Sequence, residues 1–395
     1  MKRIALVAVT GGCFTYSALP NDRPAPKIRT LADAKIIDME INLHKQSGLC
    51  PGQEGKLYVN ATVQWPGMKP VLRSLGNDVD SLDPASFAIS GPLLTGDAEA
   101  HLHPDGDVLK SIEDGFVIDV KYKPEPRFVF HQMFPPEYSC FTGSYAPGGT
   151  GDGGNGGQNG ASGNDGDNGE PGGPGGDGGR GGDGGTIQAY VTIVATKFYP
   201  KLYAVIANDH FYLAPADRRL VFAAPGGTGG GGGQGGAGGS GGNQATTSAE
   251  RSDGNGGTKT VTVGQGAAGN GANGGNGGTG GNGGTGGTVE VTYDSSFPEL
   301  RQYLATDVGG GEGGAAGGAG PGGAGGDSNA DENAQRGAGG GDGASGRAGR
   351  PGRTGRASVR AGSVAAMFRS IRGIQLAVGQ EPARPATPRV PRRRR

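Results

Sequence analysis

Gly274-Gly-Asn-Gly-Gly-Thr-Gly-Gly-Asn282 repeats glycine with a period of three residues, and the same period recurs through the C-terminal two-thirds of the chain. Glycine occupies every third position from Gly148 to Gly184, thirteen times without exception. Further blocks in the same period span 226–241, 266–287, 311–326 and 337–355, with Ala272 out of phase. A flexible linker has no reason to keep such a phase, so the pattern indicates internal repetition of a structural unit.

A period of three predicts a helix with three residues per turn. Polyproline-II geometry has this period, with a rise of about 3.1 Å per residue and no internal hydrogen bonds. A column of glycine lets neighbouring backbones approach closely enough to supply the missing hydrogen bonds. Two architectures meet this need, a bundle of polyglycine II helices from one chain and a collagen triple helix. Collagen carries about 15–20% proline or more. The blocks here hold few prolines, so the single-chain bundle is favoured and the collagen-like trimer is the alternative.

The rest of the chain predicts β-structure. Apolar and polar residues alternate in Ile37–Leu43, in Leu57–Trp65 and in Phe116–Tyr122, which is typical of half-buried strands. We therefore expect an all-β plus polyglycine II fold with an N-terminal antiparallel β-sandwich-like domain. The expected parts, in chain order, are a signal peptide (1–12), a lipidated tether (13–34), the β domain (35–145), a first glycine block (146–186), a β insert (187–223), further glycine blocks with short strands (224–360) and a basic tail (361–395).

The N-terminus predicts export. Lys2 and Arg3 precede a short apolar stretch, and Gly11-Gly12-Cys13 follows it. Small residues before a cysteine resemble the lipobox of bacterial lipoproteins, which implies lipidation of Cys13 and a lipid-anchored place at the outer membrane or cell surface. Thr10 departs from the Leu or Val of that family, and an unlipidated export signal is the alternative.

Two further cysteines, Cys50 and Cys140, remain if Cys13 is lipidated. An exported protein with two remaining cysteines favours a disulfide between them. Two buried free thiols are the alternative.

The charge is divided unevenly. The chain has a formal net charge of −1, yet residues 347–395 contain thirteen arginines and one acidic residue, Glu381. An arginine column and tail of this kind predict contact with acidic polysaccharide, lipid phosphate or an acidic protein partner. Contact with the acidic first glycine block is an equally open alternative, and no specific nucleic-acid binding is expected. The candidate polyanion-binding residues are Arg347, Arg350, Arg353, Arg356, Arg392, Arg393, Arg394 and Arg395.

One column of the repeat forms a polar stripe. We expect it to be exposed, either as a ligand-contacting or ice-contacting face or as a requirement of solubility. Its members are Asn270, Asn273, Asn276, Thr279, Asn282 and Thr285.

No catalytic or metal-binding constellation is found in the sequence. His101 and His103 lack a third ligand, and the many Gly-x-Gly-x-x-Gly matches carry no information inside a glycine repeat. No cofactor and no enzymatic activity are expected.

The Gly-Gly-x phasing of 274–282 resembles polyglycine II proteins, namely springtail antifreeze proteins and glycine-rich phage tail adhesins, and glycine-rich bacterial surface proteins. The similarity covers about residues 146–360 and implies the fold more than the function. We expect a non-enzymatic structural or adhesive surface lipoprotein that is able to self-assemble. The alternative is a binding module for envelope glycan, polyanion or a partner protein through the bundle face and arginine tail. Ice binding ranks lower.

Overall fold

The computed structural model describes residues 34–43, 48–75, 82–124, 129–328 and 335–378. The predicted signal peptide, Cys13, almost all of the tether and Arg392–Arg395 lie outside these residues. The chain forms two compact units. The first comprises Met1–Ser47, Glu54–His103 and Val117–Met133, and the second comprises Gly48–Gln53, Pro104–Phe116 and Phe134–Arg395.

The first unit is built from eight strands joined in one sheet, in the order β1-β2-β6-β5-β4-β7-β8 with β3 on β2. The pairs β1–β2, β2–β3, β2–β6, β4–β5 and β4–β7 are antiparallel, which confirms the predicted antiparallel β-structure. A short 3-10 helix, Pro84–Ser86, precedes β4. The strands are β1 Lys35–Leu43, β2 Gly55–Gln64, β3 Val71–Ser74, β4 Phe87–Gly91, β5 Leu94–Gly96, β6 His101–Pro104, β7 Phe116–Tyr122 and β8 Val129–Phe134.

The burial of β1 corrects one detail of the predicted alternation. Ile37 was expected on the buried face, but it is 45% exposed and Ile36 is 1% exposed. The pairing register with β2 shifts between Ile36 and Asp38. Such a bulge adds one residue to a strand and reverses the faces on its two sides. The alternation holds from Met39 onward.

The second unit contains the remaining regular elements. Helix α1 spans Val108–Ser111, α2 spans Ala365–Phe368, and a 3-10 helix spans Pro298–Tyr303. The strands are β9 Gly143–Tyr145, β10 Thr186–Ala195, β11 Leu202–Ala207, β12 His210–Pro215, β13 Leu220–Ala223, β14 Ala245–Ser252, β15 Thr258–Gln265, β16 Thr288–Asp294, β17 Leu304–Asp307, β18 Arg356–Gly362 and β19 Gln375–Leu376. They form the sheets β12-β11-β10-β16-β18 (with β19 on β10), β17-β13-β9 and β14-β15.

Six glycine segments connect these sheets. We number them I to VI in chain order, at 148–163, 169–185, 226–242, 269–287, 309–327 and 337–355. Strands β9, β13 and β17 lead into segments I, III and V, whereas segments II, IV and VI lead into β10, β16 and β18. The chain folds back between segments I and II, where the Asp167 N–H donates a hydrogen bond to the Asn164 carbonyl at 2.8 Å.

Segments I, III and V lie side by side in one row, and segments II, IV and VI lie in another. Within a row the neighbours run parallel: the Gly151 N–H of segment I donates to the Thr228 carbonyl of segment III at 2.8 Å. The Gly229 N–H of segment III donates to the Glu312 carbonyl of segment V at 2.9 Å. The same bond recurs every three residues along each pair, as a period-three backbone requires.

Between the rows the neighbours run antiparallel. The Gly230 N–H of segment III donates to the Gly179 carbonyl of segment II at 2.9 Å. The Gly230 carbonyl accepts from the Gly281 N–H of segment IV at 2.8 Å. One turn of segment III therefore bonds four neighbouring segments of the same chain, so backbone groups that three-residue periodicity leaves unpaired within a segment find partners across segments.

An apolar core closes one end of the two rows. The strands β10, β16 and β18 continue the second row with Thr186, Thr288 and Arg356 in parallel register. Strands β9, β13 and β17 form the parallel sheet that begins the first row. The buried cluster joins residues of both sheets, among them Val191, Val289, Leu220, Phe222 and Leu304. Burial at about 25 cal/mol per Å² of apolar surface then stabilises the ends of segments that have no apolar side chains of their own.

Candidate functional site: the polar face of the glycine segments

Two of the three residues in each turn of segment III are glycine, because a neighbouring backbone leaves no room for a Cβ there. A Cβ added at Gly230 would lie 1.8 Å from the Asp152 carbonyl oxygen, and one at Gly232 would lie 2.1 Å from the Gly278 oxygen. At Gly231, between them, the nearest atom is 3.9 Å away. In segment III side chains are therefore confined to the third column, which faces solvent, and segment IV follows the same pattern except at Ala272.

The predicted polar stripe occupies the third column of segment IV. Its residues are exposed, except Thr285, which is half-buried. The Asn282 Oδ1 accepts the N–H of Arg350 at 2.9 Å, and the N–H of Gly283 donates to the Arg350 carbonyl at 2.8 Å. We call this arrangement of two hydrogen bonds an Asx clamp. In it, the side-chain oxygen of an Asn or Asp accepts the N–H of one residue in a neighbouring segment, and the N–H of the residue after the Asn or Asp donates to the carbonyl of that same neighbouring residue.

Asx clamps are a general feature of the outer columns. The same ring is formed at Asn159, Asn168, Asp177, Asp183, Asn243, Asn270, Asn273, Asn276 and Asn282. Each side-chain oxygen accepts a hydrogen bond from a backbone N–H that points outward, where no further segment offers a carbonyl. The stripe, exposed except at Thr285, is thus also a hydrogen-bonded part of the fold at its asparagines, which sequence reasoning missed. The signal for it was Asn and Asp at one fixed phase of the repeat.

The clamp also decides which polar group the asparagines show to solvent. A backbone N–H is a donor, so the clamped atom has to be the carboxamide oxygen. The Nδ2 group, which carries two N–H donors, is left for solvent or a ligand. At Asn270, Asn273, Asn276 and Asn282 segment IV therefore presents donors.

The arginine column lies beside this stripe. The Gly280 N–H donates to the Arg347 carbonyl at 2.7 Å, and the Gly283 N–H donates to the Arg350 carbonyl. The side chains of Arg347, Arg350 and Arg353 are exposed and recur every three residues, about 9 Å apart at the polyproline-II rise. Within the described ranges, none of these three forms an ion pair.

The column continues into β18 through Arg356 and Arg360, both exposed. The Arg360 Nε lies 3.4 Å from Thr292 Oγ1 on β16. Arg360 was missed because the side-chain period changes from three to two where segment VI becomes a strand.

Two aspartates of the first block, Asp177 and Asp183, are engaged elsewhere. Asp183 pairs with Arg180, and Asp177 and Asp183 hold the N–H groups of Thr279 and Thr285. In the part of the chain that the structure describes, the predicted intramolecular contact between these aspartates and the arginine column is not formed.

Cys50 and Cys140 both belong to the second unit and lie side by side as free thiols. The hydrogen bond from the Cys140 thiol lowers the pKa of Cys50, and the same bond raises the pKa of Cys140. The Cys140 Sγ also lies 3.5 Å from the Glu137 carbonyl oxygen. Their disulfide stays a prediction, one that oxidation of two adjacent thiols would fulfil.

His101 and His103 lie near carboxylates of the first unit. The Nδ1 of His101 is 3.0 Å from Asp97 Oδ2, and the Nε2 of His103 is 3.6 Å from the same oxygen. Backbone hydrogen bonds, the largest from His101, lower the pKa of Asp97 to about 2. No group of three or more metal-ligating side chains is present in the described ranges.

Neither a family model, nor a curated protein, nor a solved structure matches this chain. Among the residues with described positions, no helix has the length and apolar character needed to cross a membrane.

Proposed function

We propose that the protein is a non-enzymatic surface scaffold that adheres to an extended polyanion, such as an acidic polysaccharide, through one face of its glycine segments. In this proposal the six segments are polyglycine II helices in a two-row bundle. The recurrence of inter-segment hydrogen bonds every three residues, as from Gly151 and Gly229, supports this geometry.

One observation carries the adhesive function: a row of asparagine Nδ2 donors, interrupted by Thr279 and Thr285, lies beside a column of exposed arginines. We call this surface the donor strip. It is formed by Asn270, Asn273, Asn276, Asn282, Arg347, Arg350, Arg353 and Arg356.

The chemistry of the donor strip matches a polymer rich in acceptors. Guanidinium groups bind carboxylate, sulfate and phosphate oxygens with charge-assisted, bidentate hydrogen bonds. The neighbouring Nδ2 groups donate to hydroxyl or carbonyl oxygens, and a regular arginine spacing favours a ligand with regularly repeated charges. The shape is a straight strip rather than a pocket, so the expected ligand is an extended chain.

The binding test compares two triple variants of equal charge. Arg347→Gln/Arg350→Gln/Arg353→Gln removes three of the four positive charges of the strip, whereas a control replaces the exposed Arg301, Arg369 and Arg372 by Gln. At about 0.2–1 kcal/mol for each of the three exposed contacts, we expect the strip variant to bind polygalacturonate about 3- to 150-fold more weakly. The control should bind like the wild type, and dextran, a neutral polymer, should not bind. Equal loss in both triple variants would leave only a net-charge effect and would refute the donor strip.

Surface anchoring through Cys13 is a separate part of the proposal. It rests on the lipobox-like Gly11-Gly12-Cys13 alone. A Cys13→Ser variant should leave the membrane fraction of an expressing bacterium, and retention there would refute lipid anchoring without bearing on the donor strip.

A further inference from the structure

Asparagine followed by glycine is the sequence most prone to spontaneous deamidation, because glycine offers the least steric hindrance to attack by its own amide nitrogen. Eight such pairs lie in the described residues, and all are of the same chemical type. Their asparagines are Asn155, Asn159, Asn168, Asn255, Asn270, Asn273, Asn276 and Asn282.

Six of the eight are held in Asx clamps. In each of them the carboxamide oxygen accepts a backbone N–H, and the following glycine donates its N–H to the carbonyl of that same residue. At Asn276, for example, Ala344 supplies both partners at 2.8 Å, as acceptor for Gly277 and donor to Asn276 Oδ1.

Asn155 and Asn255 differ from the other six. Asn155 lies in the edge segment I, and Asn255 lies in the turn between β14 and β15. Within the described residues, neither carboxamide has a hydrogen-bond partner, and neither do the N–H groups of Gly156 and Gly256. Both asparagines are exposed to water.

We infer that Asn155 and Asn255 are the sites of spontaneous modification in the folded protein, and that the Asx clamps protect the other six asparagines. In the reaction the glycine nitrogen attacks the asparagine Cγ. A new C–N bond forms, the Cγ–Nδ2 bond breaks, and ammonia leaves with the proton of the glycine amide. Water then opens the resulting succinimide at either carbonyl to give aspartate or isoaspartate, so the net change is gain of one water and loss of one ammonia.

The clamp opposes this reaction at both reacting atoms. The N–H of the glycine donates to a carbonyl of the neighbouring segment, which points the nitrogen away from the asparagine Cγ. The carboxamide is held in place because its oxygen accepts an N–H of that segment. Both hydrogen bonds must open before attack, and each has ordinary net strength, so the clamped sites should react about 30-fold more slowly than the unclamped ones.

The consequences differ at the two sites. Isoaspartate at residue 155 adds a backbone atom to segment I and so disturbs its three-residue phase beyond that point. Isoaspartate at residue 255 lengthens only the turn between β14 and β15, which keeps no three-residue phase. Both products leave the donor strip unmodified.

The experiment incubates the full chain in mildly alkaline buffer and maps deamidation by mass spectrometry, with fragmentation to assign each asparagine. We expect modification at Asn155 and Asn255 first. The same chain in guanidinium chloride, where no clamp survives, should deamidate at all eight pairs at similar rates. Equal rates at all eight sites in the folded chain would overturn the inference, as would a spread of rates that persists in denaturant.

A matched pair of variants tests a single clamp. Arg350→Pro removes the N–H that Asn282 accepts but keeps the carbonyl, and proline suits an extended period-three backbone. Arg350→Ala keeps both groups. Deamidation at Asn282 should rise about 5-fold in the proline variant and remain at the wild-type rate in the alanine variant, with Asn276 unchanged in both. If the proline and alanine variants react alike at Asn282, the clamp does not protect it.

Discussion

Three consecutive glycines of segment III should respond in opposite ways to the same substitution. Gly230 and Gly232 face neighbouring segments, with an added Cβ 1.8 and 2.1 Å from backbone oxygens, whereas Gly231 faces open space. None of the three has a left-handed backbone conformation, so alanine meets no conformational strain at any of them. Only the space available to the Cβ distinguishes the three positions.

The magnitude for Gly230→Ala follows from the neighbour it would displace. An ordinary C···O contact is about 3.3 Å, so segments I and III would have to separate by about 1.5 Å. Two hydrogen bonds flank the position, from Gly151 to Thr228 and from Gly154 to Gly231, each 2.8 Å long. That separation breaks both, and at about 1–3 kcal/mol for each lost pair the cost is about 2–6 kcal/mol.

Alanine also restricts the unfolded chain, which favours folding by about 0.4–1 kcal/mol. We therefore expect Gly231→Ala to be slightly stabilising, while Gly230→Ala and Gly232→Ala destabilise by several kcal/mol. Urea unfolding followed by circular dichroism measures all three differences from the wild type. If the three alanine variants have equal stability, the close approach of the glycine columns is refuted, and with it the proposed polyglycine II packing.

Three further outcomes are expected. The pKa of Asp97 is lowered, so its stabilising contribution is present above about pH 4 and is lost as the pH falls toward 2; Asp97→Asn should flatten the acid limb of the stability–pH curve in that window. Oxidation should join Cys50 and Cys140, closing a loop of about 90 residues, and Cys140→Ser should then lower stability in non-reducing buffer by up to about 4 kcal/mol but leave it nearly unchanged under reduction. Asn276→Ala removes the acceptor of the Ala344 N–H and should cost about 0.5–1.5 kcal/mol in thermal unfolding, whereas Asn276→Asp keeps an oxygen there and should cost less.

The alternation of apolar residues predicted strands well, since burial on one face leaves a period of two in the sequence. It failed at Ile37, because a bulge changes the face without changing the local pattern. The donor strip was predicted only in its parts. The asparagine stripe and the arginine column are 68 residues apart in sequence, as the pairing of Asn282 with Arg350 shows, and no local signal states that they adjoin.

The sequence by itself determined which glycine segments are enclosed by neighbours and which lie at the edges of the rows. Segments III and IV, which have neighbours on four sides, keep two glycine columns that Ala272 alone interrupts. Segments I and VI, at the edges, keep one unbroken column and place side chains such as Asp152 and Pro351 where a further segment would lie. A Cβ is excluded only where another backbone approaches, so each glycine column marks a face that meets another segment.

Only the tertiary structure decided which segments are neighbours. Every glycine offers the same N–H and the same carbonyl, so nothing in segment III specifies segments II and IV as its partners across the rows. The register of β10, β16 and β18, which aligns Thr186, Thr288 and Arg356, makes that choice. The buried side chains of these strands, unlike glycine, fit one apolar core in one arrangement. The Asx clamps follow from it, since an outer N–H needs a side-chain oxygen only after the fold has fixed which backbone groups have no neighbour.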